Sequence, residues 1–357
     1  MTQPIDMGHT RSASIDFSAS AWGYTKLWLI NVLLTILSLG LYGPWAKVRN
    51  NQYLYGHTSI DNHRLQYLAN PMQIFIGRLL AVGVLLIFWG ASAFWAPIIF
   101  IGPLLFIAAM PWLIVQGIRF TYRNTAYRNV RFNFHGNYWG ACLNFIILPI
   151  VASFTLYLLM PWVIKRIHQF MFGNCSYGDR DISLTTDTGE YYKAALIAFG
   201  LSFLFFAVAF LVIVTPLTAF SAASEAGNDL AAYAALGSML PIFIILYFAS
   251  FLIQAFFIAT IRNHIVNNLE AEGLAKFTSE ITVTGYLKMM IINGLLILFT
   301  LGLAFPATKV LKLRYLSSKT TVHLEPAIDH VSNTVEGTGG AFGEEAAGVF
   351  DSDFSVV

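Results

Sequence analysis

The sequence predicts a mainly α-helical integral membrane protein, with about seven apolar helical segments in three internal repeats and short β-strands on the cytoplasmic side. Three observations carry this. First, residues 23–58 and 285–320 align without a gap, with roughly 16 identities in 36 positions, among them Gly23/Gly285, Lys26/Lys288, Asn31/Asn293, Gly40/Gly302, Pro44/Pro306 and Lys47/Lys309. Internal repetition constrains architecture before any single residue is interpreted. Second, only 11% of the 357 residues are charged, against about 25% in soluble domains, and the mean hydropathy is +0.63. Third, seven apolar runs (24–45, 72–95, 98–118, 138–163, 193–220, 236–260 and 284–308) are each long enough to cross a ~30 Å hydrocarbon layer as a helix.

In chain order, residues 1–13 form a polar N-terminal tail. A first repeat unit, 14–128, opens with the alternating stretch SIDFS, continues through the first apolar run, and contains a helical hairpin over 72–118 broken only at Ala96 and Pro97. A second unit, 129–276, opens with RFNFHG and carries a hairpin over 193–260 whose tip is SAASEAGND. A partial third unit, 277–324, opens with FTSEITV. Alternation with β-branched and aromatic residues predicts strands here and in HRLQYLA, DISLTTD and TTVHLE. The middle copy is the loosest: DFSASAWG becomes NFHGNYWG, Pro44-Trp45 becomes Pro161-Trp162, and Arg49 becomes Arg166. Residues 325–357 hold seven acidic residues and no Lys or Arg, so they read as an acidic disordered tail. Such a tail is either solvated or laid on the protein's own basic surface. No cleavable signal peptide is expected, since the first apolar run follows a polar start and precedes no small-residue cleavage site.

Basic residues orient membrane segments. Three lie in 47–71, four in 119–137, three in 164–192, two in 261–283 and four after 308, whereas the two hairpin tips have none. Strict alternation of seven spans cannot put all these loops on one side. Segments one, four and seven resolve the conflict if each enters and leaves on the same face. Gly40, Pro44, Pro161, Gly302 and Pro306 mark where these helices would break, and a broken helix can turn back where protein covers its backbone. The alternative is seven ordinary spans with an imperfect charge bias.

Each repeated segment runs into a basic, aromatic linker: KVRNNQYLYGHT, KRIHQFMFGNCS and KVLKLRYLSSKT. Lys47, Arg49, Lys165, Arg166, Lys309 and Arg314 are the interfacial cations of these linkers, suited either to anionic lipid or to ordinary positive-inside anchoring. Within the apolar runs there is no Asp or Glu, which argues against proton coupling through buried carboxylates. Lys26 and Lys288 sit near segment starts, where snorkelling is the default. Asn31 and Asn293 lie about a turn deeper and suit either packing against a neighbouring helix or a ligand.

The run LLTILSLGLYGPWAKVRNNQYLYGHT and the ending GEEAAGVFDSDF resemble the YjgN-like family of bacterial inner-membrane proteins, whose function is unknown. The likeness covers almost the whole chain. It implies a multi-pass protein of a Gram-negative inner membrane and carries no catalytic or ligand residues. The third copy departs from the motif, with Ala307 where Trp45 stands.

No phosphate loop, zinc helix, nucleophile elbow or paired-cysteine motif occurs. His57 and His63 share a linker but lack a third ligand, and Asp179 and Asp181 flank Arg180 in a polar turn. Cys142 and Cys175 give no disulfide framework. The chain is therefore expected to be non-enzymatic, without catalytic, cofactor or metal residues, and to act as a membrane scaffold or lipid-interacting protein. Its expected partners are membrane lipids, anionic ones foremost, and no nucleic acid. The alternative is a small-solute transporter or channel with broken helices at the repeat interface.

Overall fold

The computed structural model describes residues 10–95 and 97–331. Most of the expected terminal tails lies outside these residues. In chain order, β1 (Arg11–Phe17) leads into α1 (Ala21–Leu37) and α2 (Gly43–Gly56), then β2 (Thr58–Ile60) and β3 (His63–Tyr67). Next come α3 (Pro71–Phe94), α4 (Ile98–Arg123), β4 (Thr125–Tyr127) and β5 (Val130–Phe134). A composite helix follows: α5 (Tyr138–Ala141), a π-helical segment (Cys142–Ile147) and α6 (Leu148–Phe154). The chain continues through α7 (Met160–Phe172), β6 (Cys175–Tyr177), β7 (Arg180–Leu184), α8 (Thr188–Glu225) and α9 (Asp229–Asn267). It ends with β8 (Leu269–Ala271), β9 (Ala275–Ser279), α10 (Val283–Phe299), α11 (Phe305–Ser318), β10 (Thr320–Leu324) and a 3-10 turn at Pro326–His330.

These elements fall into two compact units. One holds the chain to Thr186, Ile265–Glu280 and the chain from Pro306; the other holds Asp187–His264 and Ile281–Phe305. All ten strands belong to the first unit and close into one antiparallel barrel, each strand pairing with its sequence neighbours and β10 with β1. Four tight turns join strands directly. Asp61 and Asn62 take φ of 48° and 61°, and Arg128 and Asn129 take 48° and 64°. Two left-handed residues in succession match the twist of the flanking strands, and Asn tolerates the conformation better than most residues. Because pairing is antiparallel throughout, these turns lie at one rim. Every helical connection leaves and rejoins the barrel at the other. The connections alternate in length: short (α1–α2), long (α3–α4), short (α5–α7), long (α8–α9), short (α10–α11).

The barrel is filled. One apolar cluster draws side chains from all ten strands, including Ile15, Ile60, Leu65, Tyr127, Val130, Tyr177, Val322 and Leu324. Two buried hydroxyls find backbone partners inside it: Tyr127 donates to the Ile60 carbonyl at 3.0 Å and Tyr177 to the Tyr127 carbonyl at 2.8 Å. A closed lumen with such contents is a packed core. Ile328 is buried in the same cluster, and the Glu325 N–H donates to the Leu274 carbonyl at 2.8 Å. The stretch 325–331, expected to start the tail, is thus tied to the barrel by an apolar anchor.

The seven expected segments resolve into two kinds. Among the described residues, four helices are long and apolar enough to cross a membrane: Pro71–Phe94, Phe100–Arg123, Thr188–Glu225 and Asp229–Asn267. The other three apolar helices, Ala21–Leu37, Tyr138–Phe154 and Val283–Phe299, are shorter. Seventeen residues rise only about 25 Å. The sequence runs on as apolar beyond them because the turns that end them are themselves leucine-rich. All six expected strand stretches contribute strands, but four three-residue strands, TSI, TAY, CSY and LEA, complete the barrel.

Candidate functional site

Among the described residues no group of three His, Cys, Asp or Glu side chains is placed to hold a metal ion, and both cysteines are free. The features that recur with conserved geometry within the molecule are the three short helical connections, and they form the candidate site.

Each short connection starts alike. Ser20, Asn137 and Thr282 cap α1, α5 and α10, accepting from the N–H of Gly23, Gly140 and Gly285 at 3.3, 2.7 and 3.2 Å. Such side-chain caps satisfy one of the orphan donors of a helix N-terminus. Two of these glycines lie under an aromatic ring of the returning helix. A Cβ on Gly23 would stand 2.7 Å from the Tyr53 hydroxyl oxygen, and one on Gly140 would stand 2.6 Å from Phe170.

Each leading helix also ends alike. Leu39, Leu156 and Leu301 all take φ of 51°. The next residue is left-handed too: Gly40 at 91°, Tyr157 at 61° and Gly302 at 90°. The N–H of that residue reaches back five positions, from Gly40 to Thr35, from Tyr157 to Ala152 and from Gly302 to Ile297, at 2.7–2.9 Å. A hydroxyl then closes the turn. Ser38 accepts from the Tyr42 N–H at 2.9 Å, Thr155 from Leu159 at 3.4 Å and Thr300 from Ala304 at 3.0 Å. In all three turns every backbone N–H from the hydroxyl residue to the start of the returning helix is bonded. The tips nevertheless carry bare apolar groups: Leu39, Leu156 and Leu301 are 94%, 86% and 93% exposed. A turn with no unmet donor and a leucine tip is suited to an apolar solvent.

The expected break positions divide accordingly. Gly40 and Gly302 make the reversal. Pro44 and Pro161 occupy the first turn of α2 and α7, and Pro306 is the second residue of α11. Proline is pre-organised there and interrupts nothing. Spacing alone does not identify Ser38, Thr155 and Thr300. Their common signal is a hydroxyl immediately before the left-handed leucine.

Both asparagines singled out by position make side-chain hydrogen bonds. Asn31 is 1% exposed, and its amide donates to the Asn50 side chain at 2.9 Å, tying α1 to α2. The Asn293 amide donates to the Met289 sulfur at 3.0 Å. In the second short connection, Asn144 donates to the Gly140 carbonyl at 2.7 Å, beside the π-helical segment Cys142–Ile147. Lys26 is exposed over the Trp22 ring at 5.1 Å, and Lys288 is exposed.

Arg49 donates to the Tyr42 hydroxyl at 2.8 Å, and Arg314 to the Ala19 carbonyl at 2.7 Å. Lys47, Lys165 and Arg166 are half-buried, whereas Lys309 is exposed. In the barrel wall, Cys175 donates to the Met171 carbonyl at 2.9 Å, and burial pushes its thiol up to about 12. Burial also raises the Tyr177 phenol well above its usual range.

Sequence comparison places this architecture among bacterial membrane proteins. Inner membrane protein YjgN of Escherichia coli O157:H7 is 24% identical over 355 residues, covering 87% of this chain and 88% of that protein. Inner membrane protein YjgN of Salmonella typhimurium strain LT2 is 23% identical, covering 90% and 91% respectively. No solved structure matches the chain. The profile of a family described as "Bacterial protein of unknown function (DUF898)" matches residues 12–349, and the chain belongs to that family.

Proposed function

We propose that this protein is a non-enzymatic, multi-pass scaffold of the bacterial inner membrane that engages lipid through its three short helical connections, with the barrel and the basic helices α2, α7 and α11 on the cytoplasmic side. The observation that carries the reading is the triple recurrence of a leucine-tipped turn whose N–H groups are all bonded. Only an apolar environment makes both features favourable at once. The shared caps at Ser20, Asn137 and Thr282, and the shared hydroxyls at Ser38, Thr155 and Thr300, support reading the chain as three copies of one unit, the third partial. The repeated exit of helical connections from one barrel rim supports re-entry of each short connection on its starting side. Lys47, Arg49, Lys165, Arg166, Lys309 and Arg314 then lie within reach of anionic headgroups, each such residue contributing about 1 kcal/mol near a charged surface. The names of the YjgN relatives support the inner-membrane placement.

The alternative is transport of a small solute along the broken helices. The filled barrel lumen speaks against a path through the strands. The two readings separate on reconstitution into vesicles of phosphatidylcholine with and without phosphatidylglycerol. The lipid-scaffold reading expects phosphatidylglycerol to be retained in native mass spectra, with retention falling when Lys47, Arg49, Lys165 and Lys309 become Gln. Equal retention of both lipids by both proteins would defeat it.

A further inference from the structure

The end of α4 carries two guanidiniums bonded only to neutral groups. Arg119 donates from Nε to the Phe134 carbonyl at 3.4 Å and from Nη2 to the Gly136 carbonyl at 3.2 Å. Arg123, one helical turn on, donates from Nε to the Asn133 side-chain oxygen at 3.1 Å, and that oxygen also accepts the Phe134 N–H at 2.9 Å. These bonds pin α4 to the end of β5 and the loop before α5. Among the described residues neither guanidinium forms an ion pair. Residues 62–178 contain no Asp or Glu. A guanidinium has five N–H donors, so most donors of both residues are left over. Both side chains are half-buried, and their remaining nitrogens are not shut inside the protein.

Charge is not needed to build such a junction. α9 ends the other long connection and also runs into a three-residue strand. Arg119 and Arg123 stand six and two residues before β4, and Asn263 and Asn267 stand six and two residues before β8. Asn263 donates to the Ile281 carbonyl at 2.8 Å and accepts the Ile281 N–H at 3.0 Å, while Asn267 accepts the Ser279 N–H at 2.6 Å. Two neutral amides make there the kind of bonds that two cations make in the first junction, so the charge supplies something besides closure. α4 is long and apolar enough to cross a membrane, and its apolar run stops just before Arg119. Trp139, three residues past Gly136, is 74% exposed, and such rings settle at headgroup level. Two guanidiniums about 6 Å apart along the helix axis, at the end of an apolar helix, match the phosphodiester of a membrane lipid better than a free soluble anion. We propose that Arg119 and Arg123 form a binding site for the phosphodiester of an anionic phospholipid. The site rests on the reading of the chain as a lipid-engaging inner-membrane protein, and it lies apart from the cations of α2, α7 and α11.

The test is native mass spectrometry of the delipidated full-length protein, titrated with phosphatidylglycerol or phosphatidylcholine. The variant R119N/R123N installs the residue pair that closes the second junction. It should bind phosphatidylglycerol about 30-fold more weakly, as expected for losing two cations beside an anionic headgroup, with phosphatidylcholine binding unchanged. Equal phosphatidylglycerol affinity in both proteins overturns the site and leaves the wider lipid reading standing. No preference of the unaltered protein for phosphatidylglycerol overturns both. A second measurement needs no variant: phosphatidylglycerol with a diazirine on its acyl chain next to the glycerol should crosslink the unaltered chain at α4 and α5. Adducts confined to α2, α7 and α11 overturn the proposal. Displacement of the lipid by an equal concentration of inorganic phosphate would assign the site to a free oxyanion and likewise overturn it.

Discussion

The Tyr53 hydroxyl lies over Gly23 so closely that a single added carbon on the glycine would meet it at 2.7 Å. Tyr53 is held there between Tyr24 and His57, with ring centroids 5.6 and 4.2 Å away. The foot of the first hairpin is therefore closed by a glycine that must remain small. Gly23→Ala should cost about 1–3 kcal/mol, the usual range for overpacking, read as a lowered Tm in detergent. Tyr53→Phe removes the oxygen while the nearest ring carbon stays at 3.7 Å, so the double substitution should recover most of the loss. No recovery would mean that Gly23 matters for its backbone and not for this contact.

The hydroxyl caps give a second expectation. Ser38→Ala, Thr155→Val and Thr300→Val each strand one N–H in apolar surroundings, at about 1–3 kcal/mol apiece. Ser38→Thr should be close to neutral, since Thr does the same work at the other two turns. Cell abundance and Tm of the single and combined variants check this. Equal behaviour of Ser38→Ala and Ser38→Thr would contradict it.

Asn31 in α1 reaches α2 through the Asn50 side chain. Asn31→Leu should lower abundance and Tm. A double-mutant cycle of Asn31 and Asn50 should give a coupling of about 0.6–1.7 kcal/mol, the range for hydrogen bonds between membrane helices. Zero coupling would remove the hydrogen bond from the account.

Alkaline pH should destabilise the barrel. The Cys175 thiol keeps its proton in the folded state up to about 12, against 9.0 when exposed. Between those values the unfolded chain loses a proton that the folded chain retains. Stability is therefore flat below about pH 9 and falls above it, by at most about 1.4 kcal/mol per pH unit for this group. The raised Tyr177 phenol acts in the same direction. Cys175→Ala should lessen the slope above pH 9 in urea unfolding at fixed detergent. An unchanged slope would show that the thiol does not contribute.

Much of this fold is legible in the residues, and the illegible parts have physical reasons. The four long helices announce themselves by uninterrupted apolar length, and β3, β7 and β10 by their alternation. TSI, TAY, CSY and LEA are too short to show any period, and barrel closure joins Arg11 to Leu324, a pairing that no local pattern encodes. The basic stretches read as interfacial linkers fold as α2, α7 and α11; in α2 and α11 polar and apolar residues are too mixed to mark a helix face, whereas α7 is amphipathic. The turns at Leu39, Leu156 and Leu301 hide inside apolar runs because their reversal depends on a hydroxyl and a left-handed backbone, and not on a polar loop. Gly40 and Gly302 hint at it, but Tyr157 fills the same place in the second short connection.

The central claim is that each short connection returns to the side it left, keeping the whole barrel cytoplasmic. Cys175 is 2% exposed and so cannot report on it. Cysteines at Asn62, Asp179 and Asn228, introduced singly with Cys142 replaced by Ala, can be treated in intact cells with a membrane-impermeant maleimide. The account predicts labelling at 228 alone, with 62 and 179 reacting only after the membrane is opened. Labelling of 62 or 179 from outside, and above all of one without the other, would mean that a short connection crosses the membrane and would contradict it.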